Sequence, residues 1–337
     1  MDTELSEKAR LQEMVRGHMI MQAISVATRL GIPDLLENGP LATEKIADLV
    51  GADPARLLRL LRALTSVGIF NQTESDELEL TRMGHWLLSN REDGLNALAA
   101  MNSDRYLWDS WGNTLDIIKG KPHQGQSVRE DNLWCNYQDR ENELVIFQQA
   151  MKTTTHSLVK DLCKTIELAT GSSLADIGGG SGDLLSAILA HREDLIGKMV
   201  DLPQIITAAQ DRPMELSIRQ RIEWIGLDFL KDQLPTADGY ILKDVLHNWN
   251  DADCISLLKK CRMSIPPKGH LWIVENLYEE QFCWMDIHLM VMFDSEVRDL
   301  KKMTYLLGQA GFEACPPIPL SGGYQLIGCK PSFHGSF

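Results

Sequence analysis

The segment Asp176-Ile-Gly178-Gly179-Gly180-Ser181-Gly182 puts a carboxylate and four glycines where an apolar run gives way to a helical pattern. Glycine at such a turn lets the backbone adopt positive φ and approach a ligand closely. A dinucleotide site would hold a pyrophosphate there, at the helix N-terminus. The spacing from Gly178 is Gly-x-Gly-x-Gly rather than Gly-x-Gly-x-x-Gly, which disfavours NAD. Asp176, ahead of the turn, would repel a phosphate but hold the ammonium of a methionyl group. Two more acids follow. Asp201 closes Met199-Val200-Asp201, a strand end suited to a carboxylate that accepts both ribose hydroxyls. Asp228, in Gly226-Leu227-Asp228-Phe229, could accept from an adenine amino group while Phe229 covers the ring face. Each feature alone has a plainer explanation as a common turn or a loop cap. Their order, each at an expected strand end, points to an adenosyl ligand.

His247 follows the strand read over Tyr240–Lys243, at the carboxyl edge of the sheet where ligands bind in such folds. An imidazole, with its ordinary pKa of about 6.5, is largely neutral at cellular pH and suits proton uptake. In a generic α/β chain such a histidine more often only satisfies a loop. The cysteines at 135, 163, 254, 261, 283, 315 and 329 lack Cys-x-x-Cys spacing or a histidine cluster. They read as reduced buried thiols, and no metal is required.

To hold these groups at one edge, the chain needs a doubly wound parallel sheet. After Leu168 the pattern provides it: strand Leu174–Ile177, helix Asp183–His191, strand Gly197–Val200, helix Ile205–Gln210, strand Tyr240–Lys243, helix Ala252–Met263 and strand Leu271–Glu275. Phe312–Cys315 and Tyr324–Cys329, around Ser321-Gly-Gly323, close the sheet edge as an antiparallel hairpin. The first part differs in texture. Apolar residues at three and four spacing predict one helix over Ala9–Leu30. Thr43 is placed to cap a short helix, Gly51-Ala-Asp53-Pro54 turns the chain, and a second helix runs from Pro54 to Val67. Gly68-Ile-Phe70 and the alternating Glu77–Thr81 add a hairpin, which gives a winged-helix-like pattern. Arg56, Arg59 and Arg62 repeat along the second helix, but Leu57, Leu58, Leu60, Leu61 and Leu64 make it a packing helix with arginines at its edge. Residues 84–165 read as mostly helical, broken near Gly120-Lys-Pro122. The expected domains are 1–105, helical and dimerising; 106–165, connecting and contributing to a substrate pocket; and 166–337, catalytic.

The whole chain sets bounds. Its 337 residues, 44% hydrophobic and 24% charged, suffice for two ordinary cores. A formal charge of −14 opposes nucleic-acid binding. The sequence shows neither a signal-peptide pattern nor a membrane-length apolar run, so it reads as a soluble cytoplasmic protein.

With these residues in order, nearly the whole chain resembles the O-methyltransferases of the plant caffeate, acetylserotonin and bacterial phenazine or anthracycline type. The matches are Asp176 to Gly182, Val200-Asp201-Leu202-Pro203, Asp228-Phe229, Leu242-Lys243, and His247-Asn248-Trp249-x-Asp251, with Trp111-x-x-x-Leu115 in agreement. The resemblance implies a Rossmann-like methyltransferase sheet behind a mainly α-helical, winged-helix-like dimerisation domain. It further implies S-adenosylmethionine as cofactor, an intertwined homodimer, and methylation of a hydroxyl on a small aromatic metabolite. By the same resemblance His247 is the general base and Glu275 orients it. Asp176, Gly178, Gly180, Gly182, Asp201, Leu202, Asp228, Phe229 and Lys243 contact the cofactor. Trp108, Met151, His156, Trp284, His288 and Met292 are pocket candidates by position. Two departures stand out. Asn248 replaces a frequent aspartate, and Val297, in Asp294-Ser-Glu296-Val297-Arg298, takes the place of a second glutamate unless Glu296 moves in. These leave open a cofactor-bound enzyme that does not transfer the methyl group, in a pericyclic, decarboxylating or hydroxylating reaction. A third reading is a winged-helix DNA-binding regulator.

Overall fold

A computed structural model describes residues 2–121 and 140–332. Cys135 and Pro122 lie outside them, as does the side chain of His156. The chain divides into two compact units, one of residues 1–112 with 139–153 and one of residues 113–138 with 154–337.

In the first unit the expected long helix is two. Helix α1 (Asp2–Val15) and helix α2 (Gly17–Arg29) meet at Arg16, where Gly17 removes helix propensity in mid-pattern. Helix α3 (Thr43–Val50) starts one residue earlier than a Thr43 cap would allow: the N-cap is Ala42, and no side chain caps the helix. By contrast Asp53 does cap helix α4 (Pro54–Ser66), accepting from the Arg56 amide at 2.8 Å. Strands β1 (Phe70–Gln72) and β2 (Leu78–Leu80) pair antiparallel. Ala27, Ile46, Leu57, Leu61, Leu64 and Phe70 form the core of this part. Helix α5 (Glu141–Thr165) begins in this unit, where Glu143 pairs with Arg29 at 2.7 Å, and ends in the other.

The second unit carries the sheet: β3 (Ser173–Ile177), β4 (Ile196–Asp201), β5 (Ile222–Gly226), β6 (Gly239–Lys243), β7 (His270–Glu275), β8 (Phe312–Ala314), β9 (Ile318–Pro319) and β10 (Gln325–Pro331). The order is β5-β4-β3-β6-β7-β10-β8; the first five strands are parallel, and β10 pairs antiparallel with β7, β8 and β9. The closing hairpin is therefore present, with β9 added in its connection. Strand β5 has no counterpart in the strands read from the sequence, although Asp228 was expected beyond a strand.

Alternate residues feed two cores. Leu271 and Ile273 face helix α8 (Asp251–Ser264) and helix α10 (Leu300–Gln309) through Leu257, Leu258, Leu306 and Leu307. Trp272 and Val274 face helix α6 (Asp183–His191) and α5 through Leu185, Leu189, Leu158 and Leu162. Burial of both faces is what a parallel sheet between helices requires, and it explains the unbroken apolar runs. Helices α7 (Pro203–Gln210) and α9 (Cys283–Phe293) complete the elements that the site uses.

Candidate active site

Five parallel strands end at one edge, and the chemistry-bearing residues sit there: Asp176 in β3, Asp201 closing β4, Asp228 just past β5, Lys243 closing β6 and Glu275 closing β7. Gly178 turns the chain out of β3 at φ +70°, and its amide donates to Val200 O at 2.8 Å. A Cβ on Gly179 would stand 2.7 Å from Asp176 Oδ2 and 2.6 Å from Met199 Sδ, so no larger residue fits without displacing the carboxylate. The Gly180 and Leu202 amides donate to Asp201 Oδ2 and Oδ1 at 2.8 and 2.7 Å, which ties the glycine turn to the end of β4.

Asp176 is 2% exposed, and its Oδ2 has no hydrogen-bond partner among the described residues. Burial, then the charge of Asp201, pushes its pKa to about 7 against a partial offset from Lys243. Burial also lifts Asp201 to about 6, although two backbone amides oppose it. Two raised carboxylates around one turn form a cradle short of positive charge. An ammonium or sulfonium fits that deficit, and a phosphate does not. Asp228 accepts from the Leu230 amide at 3.0 Å and pairs with Lys231. Phe229 is buried, edge-on to Trp249 with ring centroids 5.8 Å apart.

His247 lies in a short 3-10 turn, Leu246–Asn248. Its Nδ1 is 2.5 Å from Glu275 Oε2, while Glu275 Oε1 accepts from the Leu246 amide at 3.0 Å. Glu275, 2% exposed, thereby fixes both the loop and the ring. With Nδ1 donating to the carboxylate, Nε2 becomes the proton acceptor. Burial, the largest single influence, lowers the pKa of His247. The charge and hydrogen bond of Glu275, with Asp244, outweigh it and hold the ring above its ordinary value. His288, on α9, is pulled down by burial and by the charge of His247, so the two imidazoles share one electrostatic environment.

The two departures resolve structurally. Asn248 Nδ2 donates to Asp244 O at 2.9 Å, so its amide braces the loop. Glu296 has not moved in toward His247: it pairs with Lys302, which also binds Asp251. Val297 is buried, and its amide donates to Asp286 Oδ1 at 2.8 Å. Of the pocket candidates on α9, Met292 is buried and Trp284 is 75% exposed in the chain. Trp108 and Met151 belong to the first unit and His156 to the second.

Sequence reasoning missed the residues that brace the loop from afar. Arg298, 3% exposed, donates to Leu246 O at 2.9 Å, Trp249 O at 2.6 Å and Asp251 Oδ1 at 2.9 Å. Ser295 Oγ donates to His247 O at 2.6 Å. Asp244 pairs with Lys243 and accepts from Tyr324 Oη at 3.0 Å. Only the Arg298 segment gave a signal, and it drew attention for Val297 instead. Replacing Arg298 with alanine removes its buried hydrogen bonds to Leu246 O, Trp249 O and Asp251 and is expected to lower stability by about 3 kcal/mol and cut turnover. Urea unfolding together with kcat checks this; an unchanged pair of values would mean that the loop holds itself.

A glycine-lined turn, acids at successive strand ends and a carboxylate-backed imidazole at one sheet edge together define a nucleoside-dependent group-transfer enzyme. Residues 121–313 match the O-methyltransferase domain family, and residues 12–90 match the O-methyltransferase dimerisation domain. The chain belongs to the O-methyltransferase family. Phenazine O-methyltransferase PhzM of Lysobacter antibioticus is 29% identical over 335 residues, 95% of each chain. The crystal structure of LaPhzM superposes with a TM-score of 0.87 at 27% identity, covering 96% of this chain and 99% of that one. A neocarzinostatin-biosynthesis O-methyltransferase, solved with S-adenosylmethionine and 2-hydroxy-5-methyl naphthoic acid, has a TM-score of 0.80 at 27% identity, covering 92% and 95%. No helix among the described residues is long and apolar enough to cross a membrane.

Proposed function

We propose that this enzyme transfers the methyl group of S-adenosylmethionine to a hydroxyl of a small aromatic substrate, with His247 as general base. The observation that carries the reading is the His247–Glu275 contact of 2.5 Å at the same sheet edge as the glycine turn. The cofactor supplies an electrophilic methyl. Asp176 would take its ammonium, Asp201 its ribose hydroxyls and Asp228 its adenine amino group, with Gly178, Gly180, Gly182, Leu202, Phe229 and Lys243 completing the cradle. His247 Nε2 accepts the hydroxyl proton, and Glu275 balances the imidazolium that results. Relatives that act on phenazines, or were solved with a hydroxynaphthoate, support the aromatic acceptor.

The dimerisation-domain match supports a homodimer built through residues 1–105, in place of a DNA-binding role for the same helices. Residues 106–165 would connect this part to the catalytic 166–337. On α9, Trp284, His288 and Met292 are candidates to line the substrate pocket. The protein incubated with labelled S-adenosylmethionine and a panel of phenols is expected to form methyl ethers and S-adenosylhomocysteine in equal amounts. Product without S-adenosylhomocysteine would establish the non-methylating alternative, and methylation of amines alone would overturn the hydroxyl acceptor.

A further inference from the structure

We propose that Asp244 is a positioning residue for the base, forming with Glu275 a two-carboxylate clamp on the Nδ1 side of the His247 ring. Its Oδ1 is 3.9 Å from His247 Nδ1, buried, and without a hydrogen-bond partner among the described residues. Every other part of the residue is tied down. Oδ2 pairs with Lys243 and accepts from Tyr324 Oη, the backbone oxygen accepts from Asn248 Nδ2, and the amide donates to Val274 O at 3.2 Å. The residue sits at φ +56°, in the left-handed region that an L side chain rarely adopts. Anchors from β6, β7 and the approach to β10 thus hold a strained backbone so that one bare carboxylate oxygen faces the imidazole.

The division of labour follows from distance. At 2.5 Å Glu275 takes the N–H and sets the tautomer, whereas 3.9 Å is too long for a hydrogen bond and leaves Asp244 acting through charge. The groups facing the ring are Glu275 from β7, Asp244 and Lys243 from the end of β6, and His288 from α9. Burial and Lys243 oppose protonation of His247, and the two carboxylates favour it. The clamp therefore keeps proton affinity in a ring that its burial and the Lys243 ammonium would otherwise acidify.

This rests on the reading of His247 as base, and the test separates the two. Histidine-labelled full-length protein is titrated by NMR, with His247→Gln used to assign the His247 signal. Asp244→Asn keeps the size, the left-handed tolerance and an acceptor for Tyr324, but removes the charge. The His247 midpoint is expected to fall by about one pH unit, with the acid limb of kcat/KM falling alongside it and kcat dropping about tenfold. Asp244→Gly, equally tolerant of the backbone, serves if the asparagine variant does not fold. A folded variant whose His247 midpoint matches wild type overturns the clamp, since a purely structural aspartate would leave the ring's proton affinity unmoved. A moved midpoint with an unmoved rate profile upholds the clamp and removes His247 as base.

Discussion

Replacing His247 with alanine is expected to lower kcat for methyl transfer about 1,000-fold while leaving the Kd for S-adenosylmethionine within about twofold. The asymmetry comes from geometry. The ring is fixed by Glu275 on β7 and by the loop that Arg298 and Ser295 brace, while the glycine turn and Asp201 are tied to one another without it. Alignment of the two reactants survives the substitution, and proton uptake does not. The pH dependence has a definite sign. Glu275 and Asp244 hold the His247 pKa above its ordinary 6.5, so the neutral, active form is lost as pH falls through that raised value. With His247 as base, the acid limb of kcat/KM is therefore expected above the ring's ordinary 6.5. The same group stabilises the fold below its unfolded pKa, and that contribution disappears as pH rises through the folded one. Isothermal calorimetry and single-turnover rates on the variant check the split, and turnover at the wild-type level would take His247 out of the reaction.

The second large effect is expected at Asp176. Its pKa stands at about 7 against an ordinary 3.8, so the folded protein binds this proton more tightly than the unfolded chain. Stability then falls as pH rises from about 4 to 7, and the full penalty holds above 7. One pKa unit corresponds to about 1.4 kcal/mol, which sets a ceiling of about 4 kcal/mol; with relaxation, about 2 kcal/mol is the expected gain of Asp176→Asn at pH 8. At pH 3 the variant and wild type should be alike. The same change removes the charge proposed to hold the methionyl ammonium, so cofactor affinity should fall about 100-fold. A more stable protein that binds its cofactor worse is the signature of a strained functional carboxylate. Urea unfolding at the two pH values, with calorimetric titration of the cofactor, checks both halves. A variant less stable than wild type at pH 8 would show that Asp176 has a structural partner after all.

The parts legible in the sequence were those written locally. Helix α6 begins where Gly182 and Asp183 indicate, and Asp176 and Asp201 lie at the ends of strands β3 and β4, whose apolar runs need burial on both faces. Strand β5 was not read because Ile222-Glu-Trp-Ile-Gly226 is short and mixed, and only its pairing with β4 makes it a strand. Helix α9 was not read because Cys283–Phe293 is apolar nearly all round, which gives no periodic contrast. At the site, Asp176 and Asp201 were marked by spacing around the glycine turn and His247 by the resemblance its motif carries. Asp244 and Arg298 did not, because their roles arise from contacts with Tyr324, 80 residues away, and Leu246, 52 away. Tertiary proximity of that range has no local signature.

The place of β10 carries a consequence for how this half of the chain comes into being. It slots between β7 and β8, register-matched from Gln325↔Glu275 to Cys329↔Leu271, so the strand bearing Glu275 gains its second neighbour only from residues about fifty positions later in synthesis. Until those residues arrive, β7 has a bare rim of amides and carbonyls open to any passing strand. Chains interrupted before residue 325 should therefore coalesce rather than linger as half-built catalysts, and assembly should be paced by that late, long-range closure.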